Sequence, residues 1–359
     1  MEKQVLDLVE GMVKVPFEVF VWCPPGQFVK DYEKVGAKVT LKKIRLDIDP
    51  FYILSLARFM KKNQIDVIHG HELKAVVNML IAGSIAKVKM RVSHTHTPIS
   101  HWRVSRIKKF LDMLLYTAIV NIFSTHEIAL TESIRAIKEE EGINPYKIQV
   151  ITNGVDVKKF ELSQEEKFAY KEEIHKLFNI PKDAYVIGNL SRLTVEKDHE
   201  TLVKAFDKLK IDNKFLLIAG GGGLEKDIKN LVSKLGLDNQ VVITGLFEES
   251  MKVKLLSTLD LVAFTSLAEG FGYILVESML FGLPIISSDL PVLQEVGGEY
   301  ISYFKVGDVD SLVGGVEMFY KDQKGAAQRA LLAQNRAKSL YSIETFWGSY
   351  ESLYKGNLK

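Results

Sequence analysis

Short apolar runs rich in β-branched and aromatic residues alternate with helix-like segments along almost the whole chain. In the first half, the runs typical of strands lie at residues 17–23, 38–44, 65–71, 89–96, 128–133 and 147–152. Helical patterns lie between most of them, for example at residues 51–63 and 73–86. Such an alternation predicts a parallel sheet covered by helices on both faces.

A charged segment follows at residues 161–184, and a second alternating series begins after it. Its predicted strands lie at residues 185–191, 215–220, 240–245, 259–266 and 283–289. The pattern therefore predicts an α/β protein with two Rossmann-like, doubly wound domains joined near residue 160. Ligands of such sheets bind beyond the carboxyl ends of the strands, so we expect the site in the loops that follow strands.

Composition narrows the function class. A chain of 359 residues, 47% of them apolar, is long enough for two cores. Its 47 basic residues nearly balance 45 acidic ones, which gives no electrostatic reason to expect a nucleic acid partner. The single cysteine, Cys23, excludes an internal disulfide and a cysteine-based zinc site, which suits the cytoplasm. The longest apolar runs are shorter than the ~20 residues that cross a bilayer, and the first residues lack the pattern of a signal peptide.

The segment LAEGFGYILVESMLFGLP, residues 267–284, contains candidate ligand-binding residues. It follows a predicted strand, so Glu269 belongs in the loop at the carboxyl end of that strand. Gly270 and Gly272 permit a tight turn, after which a helix is predicted to begin near Tyr273. A helix start presents unpaired N–H groups and a partial positive charge, which together suit a phosphate.

The amides of Ile274 and Leu275 are the natural phosphate donors in this helix start. Glu277 lies about one turn further along, and Glu269 lies before the turn. Two carboxylates that flank a phosphate site suit sugar hydroxyls, because charge repulsion excludes the phosphate itself. A sugar nucleotide has this layout of sugar, diphosphate and ribose. The spacing alone is equally consistent with Glu277 as a solvated helix residue and Glu269 as a charged loop residue.

The stretch EGFGYILVESMLFGLPII resembles the E-x7-E signature of the retaining glycosyltransferases called group 1, or family 4, which have the GT-B fold. Further matches to that family follow in order at residues 153–160, 187–206, 218–237 and 241–247. The resemblance covers nearly the whole chain and implies two Rossmann-like domains facing across a cleft. It implies an acceptor-side domain at residues 1–162, a nucleotide-sugar domain at 163–340 and a helix at 341–359 that crosses back to the first domain.

The family's roles carry over where residues match. Arg192 and Lys197, in SRLTVEKD, correspond to the pair that clamps the donor diphosphate and stabilises the charge on the leaving group. Taken alone, an Arg and a Lys in a loop are more often solvated. Glu277 is expected to hold the ribose hydroxyls and Glu269 the transferred sugar. The remaining residues expected at the donor are Gly270, Phe271, Gly272, Tyr273, Ile274, Leu275, Gly220, Gly221, Gly245, Leu246 and Phe247.

The glycine run at residues 220–223 follows a strand and precedes a helix, as in a dinucleotide-binding fingerprint. It lacks the G-x-G-x-x-G spacing, and no acidic residue clearly ends the next strand. A nicotinamide-dependent dehydrogenase is therefore a weak alternative. The resemblance implies a glycine turn that lines the donor cleft.

Histidines concentrate in the first half. In SHTHTPISHW, His96 is the best match to a family histidine beside the sugar, with a satisfied loop histidine as the alternative. The alternation with His94 could also suggest zinc, but the resemblance and the lack of a nearby third ligand count against a metal. His69 and His71 are expected to shape the same cleft, more often structurally than catalytically.

The segment HWRVSRIKKFLDMLLY, residues 101–116, mixes basic and apolar residues. Two interpretations stay open: a solvated helix face, which is favoured, and contact with an anionic membrane surface that presents a lipid-linked acceptor. The basic residues are Arg103, Arg106, Lys108 and Lys109.

The chain departs from the family at its start, because it opens on a helical pattern where members carry a strand and a glycine-rich turn. Such a loss is expected to leave neighbouring strands unpaired and puts activity in question. A longer natural chain and a segment supplied by a partner both explain it.

The sequence therefore predicts an enzyme that transfers a sugar, with retention at the anomeric carbon, from a UDP-, GDP- or ADP-sugar to a glycan, lipid-linked or small-molecule acceptor. No cofactor and no metal are expected, and the location is cytoplasmic or peripheral to the inner face of the membrane. The alternatives are an epimerase of the same fold and a non-catalytic or truncated sugar-nucleotide-binding protein.

Overall fold

The computed structural model describes residues 2–15 and 17–356. The chain divides into two compact units. Unit 1 comprises Met1–Gly154 and Ile343–Lys359, and unit 2 comprises Val155–Ser342.

Unit 1 contains parallel strands and surrounding helices. Its strands are β1 (Phe20–Cys23), β2 (Lys38–Leu41), β3 (Val67–His71), β4 (Met90–His94), β5 (His126–Ala129) and β6 (Ile148–Val150). Its first six helices are α1 (Glu2–Lys14), α2 (Val29–Lys34), α3 (Pro50–Lys62), α4 (Leu73–Ala86), α5 (Arg106–Phe123) and α6 (Glu132–Glu140). Each predicted strand of the first half is present at or near its predicted place.

These strands form two sheets, β1–β2 and β3–β4–β5–β6, and every pairing is parallel. Within the described part of unit 1, β1 and β3 each have a single strand neighbour. Unit 1 therefore contains two parallel sheets where the alternation of strands and helices predicted one.

Unit 2 contains one sheet and eight helices. Its strands are β7 (Tyr185–Leu190), β8 (Lys214–Ala219), β9 (Val241–Ile243), β10 (Leu261–Phe264), β11 (Ile285–Ser288) and β12 (Ser302–Phe304). Its helices are α7 (Gln164–Leu177), α8 (His199–Lys208), α9 (Glu225–Lys234), α10 (Met251–Thr258), α11 (Tyr273–Phe281), α12 (Pro291–Gly297), α13 (Val309–Lys321) and α14 (Gln323–Leu340). The strand β12 was not predicted.

The unit 2 sheet has the order β12-β11-β10-β7-β8-β9 and is parallel throughout. Its strands read as continuous apolar runs because helices cover both faces. Examples are Leu216, Ile218, Leu261 and Ala263, which are all fully buried. From β7 the next strands β8 and β9 follow on one side, and from β10 the next strands β11 and β12 follow on the other. The topological switch point, where such sheets bind ligands, therefore lies between β7 and β10.

The last helix, α15 (Ile343–Gly356), returns to unit 1. The indole Nε1 of Trp347 donates a hydrogen bond to the carbonyl oxygen of Asp7 in α1 at 2.7 Å. Phe346 and Tyr350 of α15 belong to the same buried core as Leu8 and Met12 of α1. Among the described residues, no helix combines the length and apolarity that a membrane span requires.

Candidate active site

The loops that follow β7 and β10 lie side by side, because these two strands are neighbours at the switch point. The hydroxyl of Thr265 donates to the carbonyl oxygen of Lys197 at 2.9 Å. The backbone N–H of Leu267 donates to the carbonyl oxygen of Glu196 at 2.8 Å. These two bonds fix the loop that carries the predicted cations against the loop that carries Glu269.

Lys197 and Glu269 form an ion pair between the two loops. Their side chains are only 16% and 12% exposed, so little water screens the pair. The hydroxyl of Ser266 donates to the same carboxylate at 3.3 Å. The structure thus brings together two residues that lie 72 positions apart. Arg192 lies on the same loop, but its side chain is 76% exposed and its Nη2 is 4.0 Å from the Glu196 carboxylate.

A buried polar network underlies this loop, and sequence reasoning missed it. The Ser191 hydroxyl donates to Asn189 Oδ1 at 2.6 Å and lies 3.0 Å from His199 Nε2. The Asn189 amide donates to the carbonyl oxygen of Ala263 in β10 at 2.7 Å. Burial, followed by the charge of Lys197, lowers the pKa of His199 to about 4, so its imidazole is neutral at pH 7. The sequence signal for this network was the presence of two polar residues, Asn189 and Ser191, at the end of the apolar strand β7.

Helix α11 begins at Tyr273, as predicted. Gly272 precedes it with φ +87°, a left-handed conformation that favours glycine, and no described side chain caps this helix start. The first-turn amides, including those of Ile274 and Leu275, have no acceptor within the helix. Phe271 is buried against the rings of Tyr273 and Tyr341. The amino end of α11 therefore lies directly after the Glu269 loop.

Glu277 is not a solvated helix residue, because it is only 5% exposed. Its Oε1 lies 2.8 Å from the Lys252 Nζ of α10. Burial by itself lowers the pKa of Lys252, but the carboxylates of Glu277 and Glu249 outweigh burial and raise it above its ordinary value. Lys252 was missed by the sequence analysis, since one lysine in an amphipathic helix gives no signal for its partner. Each glutamate of the E-x7-E pair therefore has its own lysine.

The two predicted glycine turns meet at the same end of the sheet. Gly220 has φ +144° and forms an antiparallel bridge with Gly245, whose φ is +71°. A Cβ on Gly220 would lie 2.0 Å from the carbonyl oxygen of Ser191, so the backbone approaches too closely for any side chain. Next to these turns, Gly221 lies under Leu246, which is 88% exposed, and Phe247 is partly buried. These residues share the carboxyl edge of the sheet with the Lys197 loop.

The predicted histidine, His96, lies in unit 1 within a group of four. His71 Nδ1 is 3.2 Å from His96 Nε2, and the rings of His94 and His96 stack with centroids 4.0 Å apart. Burial lowers the pKa of His71 to about 4 and of His96 to about 2, so both are neutral at pH 7. The argument that a third nearby ligand is lacking is wrong, because His69, His71 and His94 offer nitrogens within 4.8 Å of one another.

Two family models match the chain and together span most of it. The model described as Glycosyltransferase Family 4 matches residues 1–159, and the one described as Glycosyl transferases group 1 matches residues 170–338. The chain is a group 1 glycosyltransferase. It is therefore an enzyme, and the alternatives of an epimerase of the same fold and a non-catalytic or truncated sugar-nucleotide-binding protein are not favoured.

Relatives and solved structures agree with this family. An uncharacterized glycosyltransferase of Methanocaldococcus jannaschii is 26% identical over 93% of this chain and 87% of its own length. An Escherichia coli UDP-Gal:alpha-D-GlcNAc-diphosphoundecaprenol alpha-1,3-galactosyltransferase is 25% identical over 87% of this chain and 85% of its own. The crystal structure of Anabaena HepE with UDP-glucose matches with a TM-score of 0.84 and 20% identity, covering 99% of this chain and 95% of that one. The fold of this glycosyltransferase is GT-B.

Proposed function

We propose that this glycosyltransferase transfers a hexose from a UDP-sugar to a lipid-linked glycan, with retention of configuration at the anomeric carbon. The observation that carries the proposal is the Lys197–Glu269 pair beside the amino end of α11. The UDP-glucose complex of the structural neighbour and the lipid-linked acceptor in the name of the E. coli relative support the donor and acceptor classes.

The donor site is built from a fixed cation and a helix end. Breaking the bond between sugar and phosphate builds negative charge on the leaving diphosphate, which preorganised positive groups stabilise best. Lys197 supplies a charge that is held in place by Glu269, and the first-turn amides of α11 supply hydrogen-bond donors and the positive end of the helix dipole. Arg192 is exposed at the same loop and can swing onto the diphosphate.

The two carboxylates act as acceptors for hydroxyl groups on either side of the diphosphate. Glu269 lies before the turn, where the transferred sugar is expected. Glu277 lies one turn into α11, and the Nζ of Lys252, 2.8 Å from its Oε1, holds the carboxylate in one orientation. An ionised acceptor makes a stronger hydrogen bond to a ribose hydroxyl than a neutral one does.

Binding and turnover test this donor site. Thermal-shift measurements with UDP-, GDP- and ADP-glucose should show the largest stabilisation with the UDP-sugar, because a ligand that binds only the folded state raises its stability. Lys197→Ala should lower kcat by about 100-fold or more, whereas Lys204→Ala, an exposed lysine paired with Glu200, should leave kcat unchanged. NMR of the first-formed product should show the donor's anomeric configuration. An inverted product, or equal turnover in Lys197→Ala, would contradict the proposal.

The acceptor side rests on helix α5. The helix buries Asp112, Tyr116 and Val120 on one face, yet it also exposes a second apolar stripe. The exposed side chains are Ile107 (75%), Phe110 (60%), Leu111 (56%), Leu114 (57%) and Ile122 (67%). The basic residues Arg103 and Arg106 lie exposed beside the start of this stripe. Exposed apolar side chains flanked by cations suit an anionic membrane surface, where lipid-linked acceptors reside.

Vesicle binding tests this second part. The double variant Phe110→Ser with Leu114→Ser should partition to vesicles rich in phosphatidylglycerol at least about tenfold more weakly than the unaltered protein, because buried apolar side chains supply the affinity. Phe168→Ser removes a ring of similar exposure (66%) from unit 2 and serves as the matched control. Equal partition to neutral vesicles would contradict the preference for an anionic surface. No loss of partition in the double variant would contradict membrane contact through α5.

A further inference from the structure

Three histidines converge at one end of the unit 1 sheet for reasons of backbone geometry. His69 and His71 are two residues apart in β3, so their side chains project from the same face. His94 ends β4 and pairs in register with His71. The three side chains each offer a nitrogen, and these nitrogens lie within 4.8 Å of one another.

These imidazoles have unmet hydrogen-bonding capacity. His94 is 1% exposed, and neither of its ring nitrogens has a hydrogen-bond partner within the described chain. The buried Nε2 of His69 likewise has no partner among the described residues. A buried polar atom without a partner costs on the order of 1–3 kcal/mol, so three of them at one place point to a ligand that these nitrogens bind.

The surroundings of His69 resemble the outer contacts of a metal ligand. Its Nδ1 lies 2.7 Å from the hydroxyl of Tyr354 in α15. A hydrogen bond from Nδ1–H to this hydroxyl places the lone pair on Nε2, which is buried and has no partner among the described residues. Metal-binding histidines commonly have their second nitrogen fixed in this manner.

Backbone strain marks the same place. Glu72 follows His71 and has φ +68° and ψ 156°, a region that residues other than glycine rarely adopt. Its backbone N–H donates to the carbonyl oxygen of His94 at 3.0 Å. This bond ties the ends of β3 and β4 together and so fixes the spacing of the histidines.

We propose that His69, His71 and His94 form a binding site for a zinc ion, which stabilises unit 1. Three neutral nitrogen donors suit zinc and exclude the oxygen-seeking ions calcium and magnesium. Tetrahedral ligands at Zn–N distances near ~2.1 Å lie roughly 3.4 Å apart, so side-chain rotation must close the present spacing by about 1.4 Å at most. His96 adjoins the cluster, with its Nε2 3.2 Å from the Nδ1 of His71.

Zinc titration of the full chain, stripped with chelator, tests the site. Calorimetry should show one high-affinity zinc ion per chain, and cobalt in its place should give the intense visible absorption of a tetrahedral site. His94→Gln should weaken zinc binding at least about 100-fold, and Tyr354→Phe by about tenfold. His101→Ala removes an exposed histidine outside the cluster and should bind zinc as the unaltered protein does.

Tryptophan emission reports whether the variants fold, because all three tryptophans, at positions 22, 102 and 347, lie in unit 1. If His94→Gln fails this check, His69→Gln replaces it with the same expected loss. Zinc should also raise the unfolding temperature reported by this emission. The proposal is overturned if the stripped chain takes up no zinc at micromolar concentration, or if a folded cluster variant binds zinc as tightly as His101→Ala.

Discussion

The Lys252–Glu277 pair gives the sharpest test of how unit 2 holds its E-x7-E glutamates. The change is Lys252→Met, which keeps the length of the side chain and removes its charge. The two groups lie 2.8 Å apart, and their side chains are 11% and 6% exposed. Removing the lysine therefore leaves the Glu277 carboxylate charged, buried and without its cation.

The magnitude follows from this geometry. At 2.8 Å and an effective dielectric constant near 20, the attraction is about 6 kcal/mol. Desolvation of both groups offsets part of it, and breaking one side of a buried pair costs about 3 to 5 kcal/mol. We expect that loss in the free energy of unfolding of unit 2. Lys254→Met, two residues away, breaks an ion pair to Glu173 whose side chains are 28% and 48% exposed, and should cost below about 1 kcal/mol.

Urea unfolding followed by far-ultraviolet circular dichroism measures the effect, while tryptophan emission follows unit 1 separately. Adding Glu277→Gln to Lys252→Met removes the stranded charge and should recover at least about 1 kcal/mol. A loss no larger than that of Lys254→Met, or strict additivity of the two changes, would refute the reasoning. The pair would then contribute no more than a surface contact.

Two further predictions concern the loops of unit 2. Gly220→Ala should lower the free energy of unfolding of unit 2 by more than about 2 kcal/mol or prevent its folding, because the φ of Gly220 is +144° and the new Cβ meets the carbonyl oxygen of Ser191. Gly223→Ala, where a Cβ meets nothing within 4 Å, should cost under about 1 kcal/mol. Equal urea midpoints for the two variants would argue against the close approach of Gly220 to Ser191. His199 has a folded-state pKa of about 4, below the ~6.5 of an unfolded chain, so its stabilising effect is complete above pH 6.5 and is lost as the pH falls toward 4. Lowering the pH from 7.5 to 5 should therefore cost the unaltered protein about 2 kcal/mol more than it costs His199→Gln, and parallel pH dependence of the two proteins would show that His199 is not buried in its neutral form.

Much of the fold was readable from the sequence, because buried strands carry short apolar runs and helices carry a different period. Eleven predicted strand segments each overlap a strand of the structure, with boundaries shifted by a few residues. The start of α11 at Tyr273 was also predictable, since Gly270 and Gly272 mark a turn after an apolar strand. The division of the unit 1 strands into two sheets was not, because which strands pair depends on contacts between distant segments.

The sequence by itself determined the family, the alternation of strands and helices, and the residue types at the site, because these depend on local pattern and on motifs a few residues long. Tertiary structure alone decided the partners: Lys197 for Glu269, Lys252 for Glu277, and His69 beside His71 and His94. A charged or imidazole side chain carries no local mark of its partner. The pairing is fixed only when strand order and helix packing bring segments 25 to 72 residues apart into contact.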